Sequence, residues 1–314
     1  MKVLVIGSEG NVGVPLVRYL RENGHDVRES DIRQRWRDSY LTADINQAID
    51  LLPLFDWGPD VVILLAAVVS RLTCELSPSV SVSTNLVGLN DVIQLCKRSG
   101  SKLVFFSTSE IYGPHHDPMD EAVPNPQPNN RYGLLKWLGE QMVEYEVRSC
   151  GLKAVTLRPF MMYDEDEDLG DSRSAMMKFA GRLATGRSIE VHEGSERGWF
   201  HVSDAVQAIA ASMTLDEYAV INIGNPEFVP IATVAEMIRK KLNAPEWLVK
   251  TVAQPSKTTQ VKRPLLERQR TLLKFEPRVT LAEGVDRVCR RVLDRLPEAE
   301  FMFREVPKAV PPGR

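Results

Sequence analysis

Tyr132 and Lys136 stand four residues apart in the run RYGLLKWLGEQMVEYEVRSC, which puts them on one face of a helix, one turn from each other. A phenol near pKa 10 is a poor base at neutral pH, and an ammonium one turn away favours its phenolate. The pair is thereby fitted to take the proton of an alcohol, although Tyr-x-x-x-Lys taken alone also describes an ordinary surface pair. Upstream, KLVFFS at 102–107 reads as a strand that ends in Thr108-Ser109-Glu110. The Thr108 hydroxyl can order the same alcohol oxygen. Glu110 has no duty in that step, and reads either as a second base or as a cap or turn acid. A hydride leaving the alcohol carbon then needs an acceptor.

The first 31 residues supply one. MKVLVIGSEGNVGVPLVRYLRENGHDVRESD opens with a β-prone run, places Gly7, Gly10 and Gly13 at three-residue spacing, and continues as an amphipathic stretch from Val14 to Glu22. Strand, tight turn and helix in that order form a dinucleotide cradle. Gly7 turns the chain, Gly10 lets the backbone approach a diphosphate, Gly13 lets the helix sit close on the sheet, and free helix amides face the phosphates. Glu9, Asn11 and Val12 complete the loop. Gly24 ends the helix, Val27 to Ser30 form a second strand, and Asp31 at its end is placed to accept hydrogen bonds from the adenosine ribose. Asp31 would repel a 2′-phosphate, which favours NAD, while Arg33 and Arg35 leave NADP open. Further along, Asp44 and Ile45 can bracket the adenine, with Asp44 alternatively capping a helix at 46–55. Leu65-Ala66-Ala67, the small residues that end the strand VVILLAA, leave room for the cofactor. Asn85 can bond the loop under the nicotinamide, or be an ordinary helix-surface residue. The positive charge of an oxidised nicotinamide would add to that of Lys136 in favouring the Tyr132 phenolate, and Lys136 would hold the nicotinamide ribose.

These elements set the architecture. Unalternating apolar strands separated by helices predict an α/β, doubly wound parallel sheet with both faces covered, followed by a smaller C-terminal substrate lobe. Pro78 to Ser99 reads as one long helix, 113–130 as a Pro- and Asn-rich loop, and roughly Ser174 to Ala184, 231–242 and 280–296 as further helices. The expected division is a nucleotide-binding domain of 1–160 with 198–224 returning to it, a lobe of 161–197 and 225–306, and a disordered tail of 307–314. The acidic run Asp164 to Asp168 reads as a solvated turn. Cys74, Cys96, Cys150 and Cys289 show no metal-ligand spacing, so no metal is expected. The 314 residues are 43% apolar and 26% charged with net charge -3, which gives no reason to expect nucleic acid or an anionic membrane. The longest apolar stretch, Val61 to Val69, is too short to cross a bilayer. The first strand begins at once, leaving no room for a signal peptide, so a cytoplasmic protein is expected.

The chain resembles the extended short-chain dehydrogenase/reductase family, in its nucleotide-sugar epimerase/dehydratase/decarboxylase group. The resemblance is carried by GSEGNVG at 7–13, Asp31, LLAA at 64–67, NLVG at 85–88, STSEIYG at 107–113, YGLLK at 132–136, RPF at 158–160, RGWFHVSD at 197–204 and KFEPRVTLAEGV at 274–285. It implies a catalytic Thr108, Tyr132 and Lys136, with Glu110 as the extra acid of decarboxylases and dehydratases. It extends the cofactor set to Ser107 and Phe160, and implies substrate contacts at Arg197, Arg263 and Asn85. The implied substrate is a nucleotide-diphosphate sugar, oxidised transiently at C4. Glu110 favours a UDP-glucuronate-type decarboxylase or a 4,6-dehydratase over a 4-epimerase, which stays open, as does a non-catalytic NAD-binding interaction protein. Met161 stands where the family has a substrate-contacting asparagine, Asp164-Glu165 where it has Gly-Pro, and Leu64 where histidine is frequent. The family also pairs helices equivalent to 80–99 and 131–149 into a dimer, and Leu134, Leu138 and Val143 are apolar enough to serve a homodimer here.

Overall fold

The computed structural model describes residues 1–115, 117–171, 173–254 and 258–304. The tail expected to be disordered lies outside them.

The sheet predicted from the unalternating apolar runs is present. Seven strands, β1 (Lys2–Ile6), β2 (Asp26–Asp31), β3 (Tyr40–Thr42), β4 (Val61–Leu64), β5 (Lys102–Phe106), β6 (Ala154–Pro159) and β7 (Val220–Ile223), lie in the order β7-β6-β5-β4-β1-β2-β3. Their pairing is parallel, with Val3 opposite Val27 on one side and Val61 on the other. Successive residues point to opposite faces, so Val3, Val5, Ile63, Val104 and Val155 enter one core cluster while Leu4, Ile6, Val62, Leu64 and Phe105 enter another. The order reverses between β1 and β4, where open α/β sheets bind ligands beyond the strand ends.

The chain divides into two compact units. The first comprises Met1–Met162, Gly194–Pro230 and Gln254–Val279. The second comprises Tyr163–Glu193, Ile231–Ala253 and the chain from Thr280 onward. In the second, helices Ala175–Ala184, Ile231–Lys241 and Leu281–Asp294 pack together beside a parallel pair of short strands, Ile189–His192 and Val249–Val252. Gly284 admits the Tyr163 ring there, since a Cβ would lie 1.8 Å from its hydroxyl oxygen. The acids of the 164–168 turn are partly ion-paired, Glu165 with Arg287 at 3.7 Å and Asp166 with Arg291 at 3.0 Å.

Several local expectations are corrected. Residues 254–279 belong to the first unit and not to the lobe, because Val261–Lys262 pairs with Glu196–Gly198 and the buried Gln269 amide bonds both backbone groups of Gly224, at 2.8 and 3.2 Å. The polar stretch after Asp31 contains the edge strand β3. The helix expected from Pro78 to Ser99 is α4 (Pro78–Val82), a π-helical turn (Ser83–Val87) and α5 (Gly88–Ser99), preceded by a short α3 (Arg71–Leu76). Asp44 does not cap the following helix α2 (Ala48–Asp56), whose N-cap is Gln47; its carboxylate accepts instead from Asn46 N at 2.9 Å and Asn46 Nδ2 at 2.8 Å. A helix at Leu296–Met302 was not expected from the sequence.

Helix α1 (Gly13–Glu22) starts where β1 ends, and the turn between them has no spare room. Gly7 has φ +94° and a Cβ on it would lie 2.5 Å from Ala66 N, while a Cβ on Gly13 would lie 2.3 Å from the Gly7 carbonyl oxygen. Backbone cannot yield as a side chain can, so Gly13→Ala is expected to destabilise the protein by about 1–3 kcal/mol. The urea midpoint, compared with the parent's at unchanged slope, measures it; an unchanged midpoint contradicts the close packing.

Candidate active site

Helix α6 (Arg131–Cys150) carries the proton-transfer pair, and its first turn decides where that pair lies. Asn130 caps it, Oδ1 accepting from Gly133 N at 2.9 Å, while Nδ2 donates to Glu110 Oε2 at 3.0 Å. One side chain thus starts the helix and ties it to the loop after β5. Gly133 permits the approach, since a Cβ there would stand 2.6 Å from the Glu110 carbonyl oxygen. One turn further on, Lys136 is 4% exposed and its Nζ donates to the Phe106 carbonyl at 2.7 Å, with the Phe105 ring centroid at 4.9 Å. A turn beyond that, Glu140 accepts from Ser107 Oγ and is held in a bidentate pair by Arg158, at 2.7 and 3.0 Å.

Thr108 caps the short 3-10 turn Ser109–Tyr112, its Oγ1 accepting from Glu110 N at 3.2 Å, and its side chain acts on the Tyr132 phenol to favour the phenolate. Thr108, Tyr132 and Lys136 therefore converge beyond the carboxyl end of β5. Desolvation raises the Tyr132 phenol above its ordinary value, Thr108 opposing it and Glu110 adding to it. The lowering expected from Lys136 is not found in the protein alone. Burial lowers the Lys136 ammonium to about 8, with Glu140 working against that shift.

Glu110 is not the free base that its position suggested. Burial pushes its carboxyl up, but the Lys262 ammonium, which donates to Oε1, together with Arg71 and Asn130 outweighs this and holds it at about 2. Lys262 is itself buried, and its pKa is lowered by that burial. Nothing in the local sequence pointed to Lys262, because its partner lies 152 positions away. Glu140, by contrast, continues the four-residue spacing of Tyr132 and Lys136, and that spacing could have found it.

The other expected residues fall into two groups. Arg197 is 5% exposed and donates to the carbonyls of Glu196 at 2.7 Å, Thr259 at 2.6 Å and Gln260; burial lowers it to about 10, although Glu110 supports its charge. Arg263 is half exposed, 3.7 Å from Asp117, 4.0 Å from the Glu196 carboxylate and stacked over Phe228. Asn85 is buried in the π-helical turn and pairs through both amide atoms with the Val68 backbone, at 2.8 and 3.0 Å. It fixes the loop after β4, and this geometry gives no indication of the expected substrate contact. Ile45 is buried in the core, against Gly88. Phe160 packs with Ile111, Tyr112 and Met119 in a third cluster, and Ser107 is taken by Glu140.

The loop read as a dinucleotide cradle is closely held by backbone contacts. Gly7 N and Ser8 N both donate to the Ser30 carbonyl, at 2.7 and 3.0 Å, drawing the loop over the end of β2. Helix α1 has no side-chain cap at Val12, so no side chain competes for its leading amides, and Gly10 stands open except for the Gly7 carbonyl at 3.4 Å. Leu65 N and Ala66 N bond the Ile6 carbonyl, bringing the small residues beside Gly7. Gly7, Gly10, Asn11, Val12 and Gly13 thus form a close turn that leads directly into the uncapped N-terminus of α1, the end of a helix that favours an anion.

The profile of the NAD dependent epimerase/dehydratase family matches residues 3–224. The chain belongs to that family, and NAD is its cofactor. UDP-glucuronic acid decarboxylase 5 of Arabidopsis thaliana is 26% identical over 91% of this chain and 87% of its own length. UDP-glucuronic acid decarboxylase 1 of Xenopus tropicalis is 26% identical over 100% of this chain and 78% of its own. Among solved structures, the UDP-glucose 4-epimerase of Thermotoga maritima with UDP-glucose superposes with a TM-score of 0.87 at 23% identity, covering 94% of this chain and 100% of that one. That likeness is one of fold.

The buried Glu110 and Lys262 pair generates a test. Removing one partner of such a pair costs about 3–5 kcal/mol. Glu110→Gln and Lys262→Met should each lose that much at pH 7, and the double variant should lose clearly less than their sum. The depressed Glu110 pKa gives stability that is present above the unfolded carboxylate value, about 4.3. It is lost as pH falls through about 2. Urea midpoints of the parent should therefore fall more steeply across that window than those of Glu110→Gln. Additive losses, or parallel pH profiles, contradict the pairing.

Proposed function

We propose that the protein is an NAD-dependent nucleotide-sugar enzyme of the decarboxylase type, acting on a UDP-glucuronate-like substrate. The observation that carries this is the ion pair of Glu110 with Lys262, which holds the carboxylate charged and its pKa near 2, close to Thr108 and Tyr132. A carboxylate that weak is a poor acceptor for a C5 proton, as a 4,6-dehydratase requires. A decarboxylase needs no base there. The two curated relatives described above bear the same activity in their names.

In this reading Gly7, Gly10, Gly13, Asn11, Val12 and Asp31 hold NAD, with Tyr132 and Lys136 at its nicotinamide ribose. When bound, NAD supplies the hydride acceptor for C4 and a positive charge that favours the Tyr132 phenolate. Tyr132 takes the proton of the C4 hydroxyl while Thr108 orders that oxygen. The resulting ketone stands β to the C6 carboxylate, so the C5–C6 bond breaks, carbon dioxide leaves, and its bonding pair enters the enolate of the C4 ketone. A proton is then delivered to C5, and C4 takes back its hydride while Tyr132 returns its proton to the C4 oxygen, so that no net oxidation of the sugar remains. Arg197, whose charge acts on the Glu110 and Lys262 pair, is the cation suited to a substrate carboxylate or diphosphate.

Incubation with UDP-glucuronate, UDP-glucose and dTDP-glucose, with products weighed by mass spectrometry, tests the reading. Loss of carbon dioxide from UDP-glucuronate alone is expected. Loss of water from dTDP-glucose would replace the reading by a dehydratase. Tyr132→Phe should lower turnover at least about a thousandfold, within the range that a positioned proton acceptor contributes, and keep its NAD affinity within about threefold. Substantial turnover would show that another group takes the alcohol proton.

We also propose a homodimer. Leu134 and Leu138 on α6, and Val80 and Val87 on the segment packed beside it, are 40–56% exposed, whereas Val143 is fully buried. Equilibrium sedimentation at micromolar concentration should give twice the chain mass, and Leu134→Lys with Leu138→Lys should give one. A monomeric parent contradicts this.

A further inference from the structure

The cradle contains a carboxylate that dinucleotide binding does not require. Glu9, in the turn after β1, has 8% of its side chain exposed and is gripped by two arginines of the loop after β2, Arg35 at 2.7 Å and Arg37. Arg37 also reaches Glu29 at 2.9 Å, and Glu29 takes Arg21 at 2.7 Å. A third arginine of that loop, Arg33, donates from Nη1 to the Glu9 carbonyl at 2.8 Å. The same backbone meets the ribose-facing acid: Glu9 N donates to Asp31 Oδ2 and Arg33 N to Asp31 Oδ1, both at 3.1 Å. The grip lowers the Glu9 carboxyl below its ordinary value against the opposing effect of burial, so the acid is charged at neutral pH.

Arg33, Arg35 and Arg37 thus lie in the short loop directly after Asp31. Guanidinium groups at the end of β2 are the donors that a ribose 2′-phosphate needs, and Arg binds phosphate through paired, charged hydrogen bonds. Here a carboxylate has already taken two of them, and a carbonyl the third.

We propose that Glu9 is a specificity-determining residue: by holding Arg35 and Arg37 it keeps the site beside Asp31 selective for a free ribose 2′-hydroxyl, and without its carboxylate the same arginines form a 2′-phosphate site. The inference rests on the dinucleotide reading of residues 7–31. It gives the acid in the glycine turn a role separate from that of Asp31, which accepts from the ribose and repels phosphate directly. Against these three cations Asp31 alone leaves an excess of positive charge; Glu9 reduces that excess and takes the guanidinium groups of Arg35 and Arg37 into ion pairs.

The test is calorimetric titration of the parent, Glu9→Gln, Glu9→Gln with Arg35→Ala and Arg37→Ala, and Arg35→Ala with Arg37→Ala alone, each with NAD and with NADP. The quantity read is the NADP to NAD ratio of dissociation constants. Glu9→Gln should lower that ratio by at least about tenfold, and removing both arginines should restore it. The two arginine replacements in the parent should move the ratio by less than about threefold, since those cations are already engaged. The proposal is overturned by an unchanged ratio in a Glu9→Gln protein that melts with the parent, by a lowered ratio that survives loss of both arginines, or by a parent ratio that rises more than about tenfold when the arginines alone are removed. A parent that binds both nucleotides equally overturns this inference and leaves the dinucleotide site standing. A parent that binds neither overturns both.

Discussion

Helix α6 is fastened to the carboxyl end of β5 at three successive turns, and the chemistry depends on that fastening. Asn130 reaches Glu110, Lys136 reaches the Phe106 carbonyl, and Glu140 reaches Ser107 and Arg158. Asn130 at the start of the helix and Lys136 and Glu140 one turn apart from each other thus meet positions 110, 106 and 107, the last residue of the strand and the turn that follows it. The buried ammonium of Lys136 is the member most costly to place. Burial lowers it, Glu140 opposes that shift, and Arg158 prevents Glu140 from being an unpaired charge in turn. Arg158 continues to the Tyr112 hydroxyl at 2.8 Å, and Tyr112 to Asn222 Oδ1 at 2.7 Å, which carries the network across the sheet to β7.

The two ends of the site use carboxylates in the same way. At one end Glu110 holds Lys262, and at the other Glu9 holds Arg35 and Arg37. In both, an acid that looks free in the sequence is strongly paired with a cation, and its capacity to act as a base is correspondingly reduced. For Glu110 this favours a reaction that requires charge complementarity over one that requires proton abstraction. Arg197, with its guanidinium bonded to three backbone carbonyls, is rigidly placed beside that pair. Its orientation is determined by the strand pairing of Glu196–Gly198 with Val261–Lys262.

Much of this was legible in the sequence because it is encoded over short distances. The glycine spacing at 7, 10 and 13, the acid at the end of β2, the apolar strands and the four-residue separation of Tyr132 from Lys136 each express a constraint within one turn or one pleat. Such constraints survive in any chain that adopts the element. The small errors were also local: a π-helical turn broke the expected long helix, and Asp44 bonded Asn46 rather than capping α2.

What only the tertiary structure decided are the partners and protonation of the same residues. Lys262 meets Glu110 and Glu9 meets Arg35 and Arg37 through folding of distant segments, and residues 254–279 join the nucleotide-binding unit for the same reason. The pKa of Tyr132 is set by desolvation, which has no sequence signature, and it rises where neighbour spacing alone had suggested it would fall. Residue type and spacing determine which groups can do chemistry; burial and through-space charge decide the state in which each is held.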